Sequence, residues 1–158
     1  MHDINDERWR KVVVTHYEFT NAVQHFLNSD ISRVKIMKQA LRGPNRTTAI
    51  YLLPNIKVEE LQSLFSELIL LSSFSHGGII VVRETVLRLP RQWVLDHIEE
   101  ASEIYLSEGG FEEYRRFLEL FILLDRDLTV RLARRASQSS DYDIREAGED
   151  YLLKIGGE

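Results

Sequence analysis

A chain of 158 residues, 44% of them hydrophobic and 28% charged, is long enough to bury a continuous core and too apolar to be disordered by default. It holds no cysteine, which excludes disulfide staples, thiolate chemistry and cysteine-based zinc sites and suits the reducing cytoplasm where the protein is expected to reside. The net charge of −5 is uneven: eight Lys and Arg stand against five Asp and Glu up to Ile56, and twelve against twenty from Lys57 onward. So acidic a region disfavours nucleic acid, whose binding rests on many Lys and Arg contacts to phosphate, and favours a basic protein as partner. The polar stretch over 1–10 lacks the pattern of a signal peptide, and the most apolar window, 64–71, is interrupted by Ser66 and Glu67 and is too short to span a bilayer, so no membrane role is expected.

Apolar residues recur at the helical period along nearly the whole chain, and strand-like alternation is scarce, so an all-α fold is expected. Asp3 or Asn5 is placed to cap a first helix running to about Leu27, with Trp9, Val12, Val13, Phe19, Val23 and Phe26 on its apolar face. Asn28-Ser29-Asp30 breaks it. A shorter helix then carries Ile31, Val34, Met37 and Leu41 until Gly43-Pro44-Asn45, where proline lacks a donor and restricts its predecessor. The segment 47–53 reads as helix, although its threonines also suit a strand.

Beyond Pro54 the punctuation is regular. A helix over 58–72 places Leu61, Leu64, Phe65, Leu68 and Leu71 on one side, and a turn at 75–78 leads to a helix over 79–89 that Pro90 halts. The next, over 91–106, turns Trp93, Val94, Ile98, Ala101 and Tyr105 inward and stops at Gly109-Gly110. Helices over 111–124, 128–137 and 142–155 follow, with Asp127 and Asp141 where N-cap acceptors are wanted. Ile80 and Leu87 fall on the outer side of the 79–89 helix, which is therefore expected to be buried all round, covered by the first two helices.

Three of these helices superpose as sequences: VVRETVLRL from Val81, EYRRFLELF from Glu113 and DIREAGEDYL from Asp143. Val82, Tyr114 and Ile144 then align, 32 and 30 residues apart, and each precedes an arginine (Arg83, Arg115, Arg145) suited to bridge to a neighbouring acidic helix. Periods of this size belong to helical repeats whose units bury their apolar faces on one another. The stretch 128–153, with Asp143-Ile144-Arg145-Glu146-Ala147 opening its second helix, resembles a HEAT-type repeat; Phe117 and Thr85 depart from the small residue favoured there, and before Pro54 the resemblance ends. It implies a single domain over 1–158, with a nonrepeating helical lead-in over 1–54. About three hairpins over 55–158 would form a short right-handed solenoid of stacked antiparallel helix pairs that acts as a protein-binding scaffold.

No residue set points to catalysis. His2, His16, His25, His76 and His97 show no metal-protease spacing, adjacent carboxylates such as Glu59-Glu60 do not face each other on a helix, and no phosphate loop is present, so neither cofactor nor metal is expected. An acidic, cysteine-free helical protein of this size resembles the immunity proteins that neutralise secreted bacterial toxins. The expected activity is occlusion of a basic toxin, such as a nuclease, through Glu99, Glu103, Glu112, Arg116, Glu119, Glu146 and Glu149. On the helical wheel of 111–124, Glu112, Arg116 and Glu119 lie opposite the core stripe of Tyr114, Phe117, Leu118 and Phe121; on the last helix Tyr142, Glu146 and Glu149 point outward. The alternatives are nucleic-acid or regulatory binding through Arg33, Lys35, Lys38, Arg42 and Arg46 or Arg131, Arg134 and Arg135, and a structural subunit that associates through Ile80 and Leu87.

Overall fold

In the computed structural model, which describes residues 6–156, the chain is all-helical, with no strand among the described residues. The helices are α1 (Glu7–Asn28), α2 (Arg33–Arg42), α3 (Arg46–Leu52), α4 (Val58–Ser63), α5 (Phe65–Ser72), α6 (Ile79–Arg88), α7 (Arg91–Glu108), α8 (Phe111–Leu124), α9 (Arg126–Ser137) and α10 (Tyr142–Gly156). A single 3-10 turn, Leu53–Asn55, follows α3.

The ends of these helices follow local chemistry. The carboxylate of Asp6 accepts the Arg8 N–H at 2.8 Å and caps α1; the alternatives Asp3 and Asn5 lie outside the described residues. The cap of α9 is Asp125, which accepts the Leu128 N–H at 2.9 Å, so Asp127, expected as the cap, lies inside the first turn. Asp141 serves α10 as expected, accepting the N–H groups of Asp143 and Ile144. The ambiguous segment after Asn45 is helix α3. The helix expected over 58–72 is two, because the chain leaves helical geometry at Leu64, whose side chain is buried.

One core runs from Met37 and Leu41 through Leu68, Val82, Ile98 and Phe117 to Ala147 and Tyr151. Its centre is α8, which buries Tyr114, Phe117, Leu118, Leu120, Phe121 and Leu124 and packs on α5, α6, α7, α9 and α10. Arginines at two helix starts mark how neighbours run. Arg91 of α7 donates to the Leu124 carbonyl ending α8 at 3.1 Å, and Arg126 of α9 donates to the Ile155 carbonyl near the end of α10 at 3.4 Å. Start therefore meets end in both pairs, and carbonyls left free by the last turn gain a charged donor.

Two expectations about exposure change. Ile80 and Leu87 are 66% and 42% exposed, so α6 is not buried all round: of the two helices expected to cover it, α2 packs on α3 and α5, and α1 meets the core only through its last turns. Helix α1 buries no residue at all; Val23, Phe26 and Leu27 in its last turns rest against the core, while Trp9 and Val12 stay in solvent.

Helices α9 and α10 pack extensively and at close range. A Cβ added at Gly148 would come within 2.5 Å of the Ala133 carbonyl oxygen and the Ser137 nitrogen. Alanine is the better helix former by about 1 kcal/mol, yet Gly148→Ala is expected to lower the unfolding free energy by about 2 kcal/mol, because rigid backbone is in the way. Urea denaturation measures this. In the same assay Asp125→Ala is expected to cost about 1–2 kcal/mol through the lost cap, and Asp127→Ala close to nothing.

Candidate interaction surfaces

Two rows of arginine–carboxylate pairs join helices that are not consecutive. The first joins α7 to α9. Residues four apart on a helix share a face, so Glu99 and Glu103 form one rail and Arg131 and Arg135 the other. Arg131 grips Glu99 with two hydrogen bonds of 2.9 Å, and Arg135 grips Glu103 with bonds of 2.6 and 2.9 Å. The Arg135 guanidinium also lies 5.8 Å over the Tyr114 ring. Beneath the pairs is a cavity of about 150 Å³ whose floor includes Ser102, Leu106, Phe121 and Leu132. Hydrogen bonds from Arg135 hold the Glu103 carboxyl below its ordinary value. Asp125, at the start of α9, is also held low, first by the Leu128 N–H and then by the Arg91 charge.

The second row joins α6, α8 and α10. Arg83 of α6 donates to Glu119 of α8, which also accepts from Arg116 at 2.8 Å. Arg115 of α8 donates to Asp150 of α10 at 3.4 Å. Both the Arg83 and Arg115 bridges reach the next helix but one, but not equivalent acceptors: with Tyr114 aligned on Ile144, Glu119 corresponds to Glu149 and not to Asp150. Arg145, last in that series, instead donates to the Ser139 carbonyl at 2.9 Å and lies over the Tyr142 ring. The Nε groups of Arg83 and Arg116 are buried and lack a hydrogen-bond acceptor. Burial pushes the Tyr151 hydroxyl up, and the nearby Glu119 charge pushes it in the same direction.

The rows differ in what surrounds them. Among the exposed large hydrophobic residues, α6, α8 and α10 carry Ile80, Leu87, Ile122, Leu123, Tyr142 and Leu153, beside Phe111 at the start of α8. Helices α7 and α9 carry one, Ile104. A charged row with apolar neighbours is the composition of a protein interface, whereas a paired polar face alone is that of ordinary surface.

The seven residues singled out in the sequence do not form one acidic surface. Glu99 and Glu103 are neutralised across α7 and α9. Arg116 and Glu119, expected outward, have side chains only 25% and 24% exposed and are bound to each other and to Arg83. Glu112 is exposed and accepts the Ser75 N–H at 2.7 Å. Glu146 and Glu149 point to solvent on α10, as expected, together with Tyr142. The basic patches are partly engaged: Arg33 pairs with Glu60, Arg42 with Glu67, and Arg131 and Arg135 as above, Arg46 lies over Phe74, and Lys35, Lys38 and Arg134 are exposed.

Sequence reasoning missed Glu67, the one charged residue that is buried among the described residues; Arg42 reaches its Oε1 at 3.0 Å and its Oε2 accepts no hydrogen bond. It also missed the Glu99–Arg131 and Glu103–Arg135 spacing of 32, which equals the repeat step and was legible in principle. Two histidines hold local backbone: His76 lies 2.8 Å from the Leu71 carbonyl and accepts the Gly78 N–H, and His97 lies 2.6 Å from the Trp93 carbonyl. Among the described residues no three His, Asp or Glu side chains are grouped to hold a metal, and no helix is long and apolar enough to cross a membrane. Comparison with protein-family models, curated proteins and solved structures finds no match to the chain.

A carboxyl whose folded value is depressed stabilises the fold above its unfolded value and loses that contribution as pH falls through the folded one. For Glu103, whose ordinary value is 4.5, the loss begins below that pH. Arg135→Ala is expected to raise the Glu103 titration midpoint toward the ordinary value, read by carboxyl NMR shifts. Its cost to stability at neutral pH is expected to stay below about 1 kcal/mol, since both partners are half in solvent.

Proposed function

We propose that the protein is a binding module without catalytic activity that docks another protein on the outer face of α6, α8 and α10. The observation that carries this reading is the concentration of exposed apolar side chains on that face, around Arg and carboxylate groups held in place by one another. Such a surface offers desolvated anchors without the entropy cost of ordering long charged chains at the moment of binding. The reading extends to architecture: the successive Arg83 and Arg115 bridges, and the matched Arg91 and Arg126 contacts, support a short HEAT-like, right-handed solenoid of helix pairs.

The partner we propose is basic. Glu84, Glu146 and Glu149 are exposed at the margin of the apolar face, and the chain from Lys57 onward carries the acidic excess. In its most specific form this is an immunity-type role, in which the face covers the nucleic-acid cleft of a toxin nuclease and speeds encounter by charge. The pairing of Arg33, Arg42, Arg131 and Arg135 with carboxylates weighs against the nucleic-acid alternative.

The test is binding of the purified product of the adjacent reading frame, followed by calorimetry and by association kinetics at two salt concentrations. Leu153→Glu and Ile122→Glu are each expected to weaken binding at least about tenfold, the loss of one well-packed anchor. Glu146→Lys with Glu149→Lys is expected to slow association most at low salt. Glu99→Gln is expected to leave both quantities unchanged. Binding indifferent to all the α8 and α10 variants overturns the assignment of the face.

A further inference from the structure

Helix α1 has a second periodicity that its own fold leaves unused. Trp9, Val12, His16, Phe19, Val23 and Phe26 alternate at steps of three and four, the seam of a left-handed helix pair rather than of a helix lying on a globular core. Val23 and Phe26 cover the core at one end of the seam, and Phe19 reaches Tyr51 with ring centroids 5.4 Å apart. The other end is open: Trp9 is 51% and Val12 57% exposed on a helix of 22 residues that buries nothing.

We infer that the open part of this seam pairs with α1 of a second copy of the chain, running antiparallel. Three features of α1 select that occupant. First, the seam is self-complementary when reversed: Trp9 of one copy meets Phe19 of the other, and Val12 meets His16. Second, the positions flanking the seam between Trp9 and Val23 are the uncharged Val13, Thr15, Thr20 and Ala22, and reversal keeps Arg10 and Lys11 of the two copies at opposite ends, whereas a parallel pair sets them at the same level. Antiparallel packing also opposes the two helix dipoles favourably. Third, Trp9 then lands beside the Phe19–Tyr51 pair, which continues the surface from α1 onto α3.

The area is adequate. Trp9, Phe19 and Tyr51 are 51%, 37% and 60% exposed, so covering what remains of each buries roughly half of the 150–250 Å² of a whole aromatic side chain. With Val12, Val13 and the polar flanks, two copies bring together about 1,000 Å², the lower limit of a specific interface. An area at this limit fits a weak, concentration-dependent dimer. Since it uses none of the α6–α8–α10 face, it stands or falls independently of the proposed binding role.

Sedimentation velocity on the full chain from about 1 to 100 μM is expected to show a monomer–dimer equilibrium. Phe19→Glu and Val12→Glu, both at solvent-exposed positions, are each expected to raise the dissociation constant at least tenfold with unchanged circular dichroism, while Leu87→Glu on α6 leaves it unchanged. Because the chain has no cysteine, orientation reads out directly: under mild oxidation, Val12→Cys mixed with His16→Cys is expected to give the mixed disulfide. A monomer at every concentration, or a dimer insensitive to both α1 substitutions, overturns the inference. Preferential Val12→Cys self-linking overturns the antiparallel arrangement.

Discussion

The helices from α5 to α10 are between 8 and 18 residues long, lengths at which an isolated helix is marginal in water, so the fold depends on their burying one another's apolar stripes. Helix α8 shows the consequence. It packs against five other helices, and Phe117, Leu118 and Leu120 are wholly inaccessible. Few large side chains fit where two helices approach closely, and between α9 and α10 the chain supplies Gly148 against Ala133 and Ala136. Mutual burial therefore dictates both the large residues at the centre and the small ones at this close contact.

The same crowding explains where the charges go. Once apolar stripes hold helices together, the residues flanking the stripes of neighbouring helices are brought within reach, and an acidic chain rich in arginine pairs them. Arg83 with Glu119, Arg115 with Asp150, Arg131 with Glu99 and Arg135 with Glu103 are all contacts between helices some 32–36 residues apart. The half-exposed pairs among them, Arg131 with Glu99 and Arg135 with Glu103, add little stability each. Their larger effect is on recognition, because a carboxylate gripped by a guanidinium presents little free charge to a partner. The two faces of the helical body thus differ in kind, one a closed polar lattice, the other apolar around a paired row.

The candidate site was partly legible for this reason. Glu146 and Glu149 were read as exposed and are, because the helical wheel of α10 alone decides which side faces its single neighbouring layer. Glu119 is outward by the same wheel and yet three-quarters covered, because Arg83 reaches across from another helix, a contact no wheel contains. Ile80 and Leu87, on the outer side of their helix and expected to lie under the first two helices, are exposed because α1 and α2 lie elsewhere. Glu67 sits in the most apolar stretch of the chain, and only the position of Arg42 shows why a carboxylate is tolerated there.

Helix content and nearly every helix limit were determined by the sequence itself, because they depend on groups within a few residues of one another: the 3.6-residue apolar period, the stops at Gly43-Pro44, Pro90 and Gly109-Gly110, and the Asp141 cap. Even the exceptions are local in scale, such as the shift of a cap from Asp127 to Asp125. Which charges remain free and which apolar residues remain uncovered was decided only by the tertiary structure. Those properties are set by distances between side chains on different helices, and a linear sequence specifies such distances only once the stripes have chosen their partners.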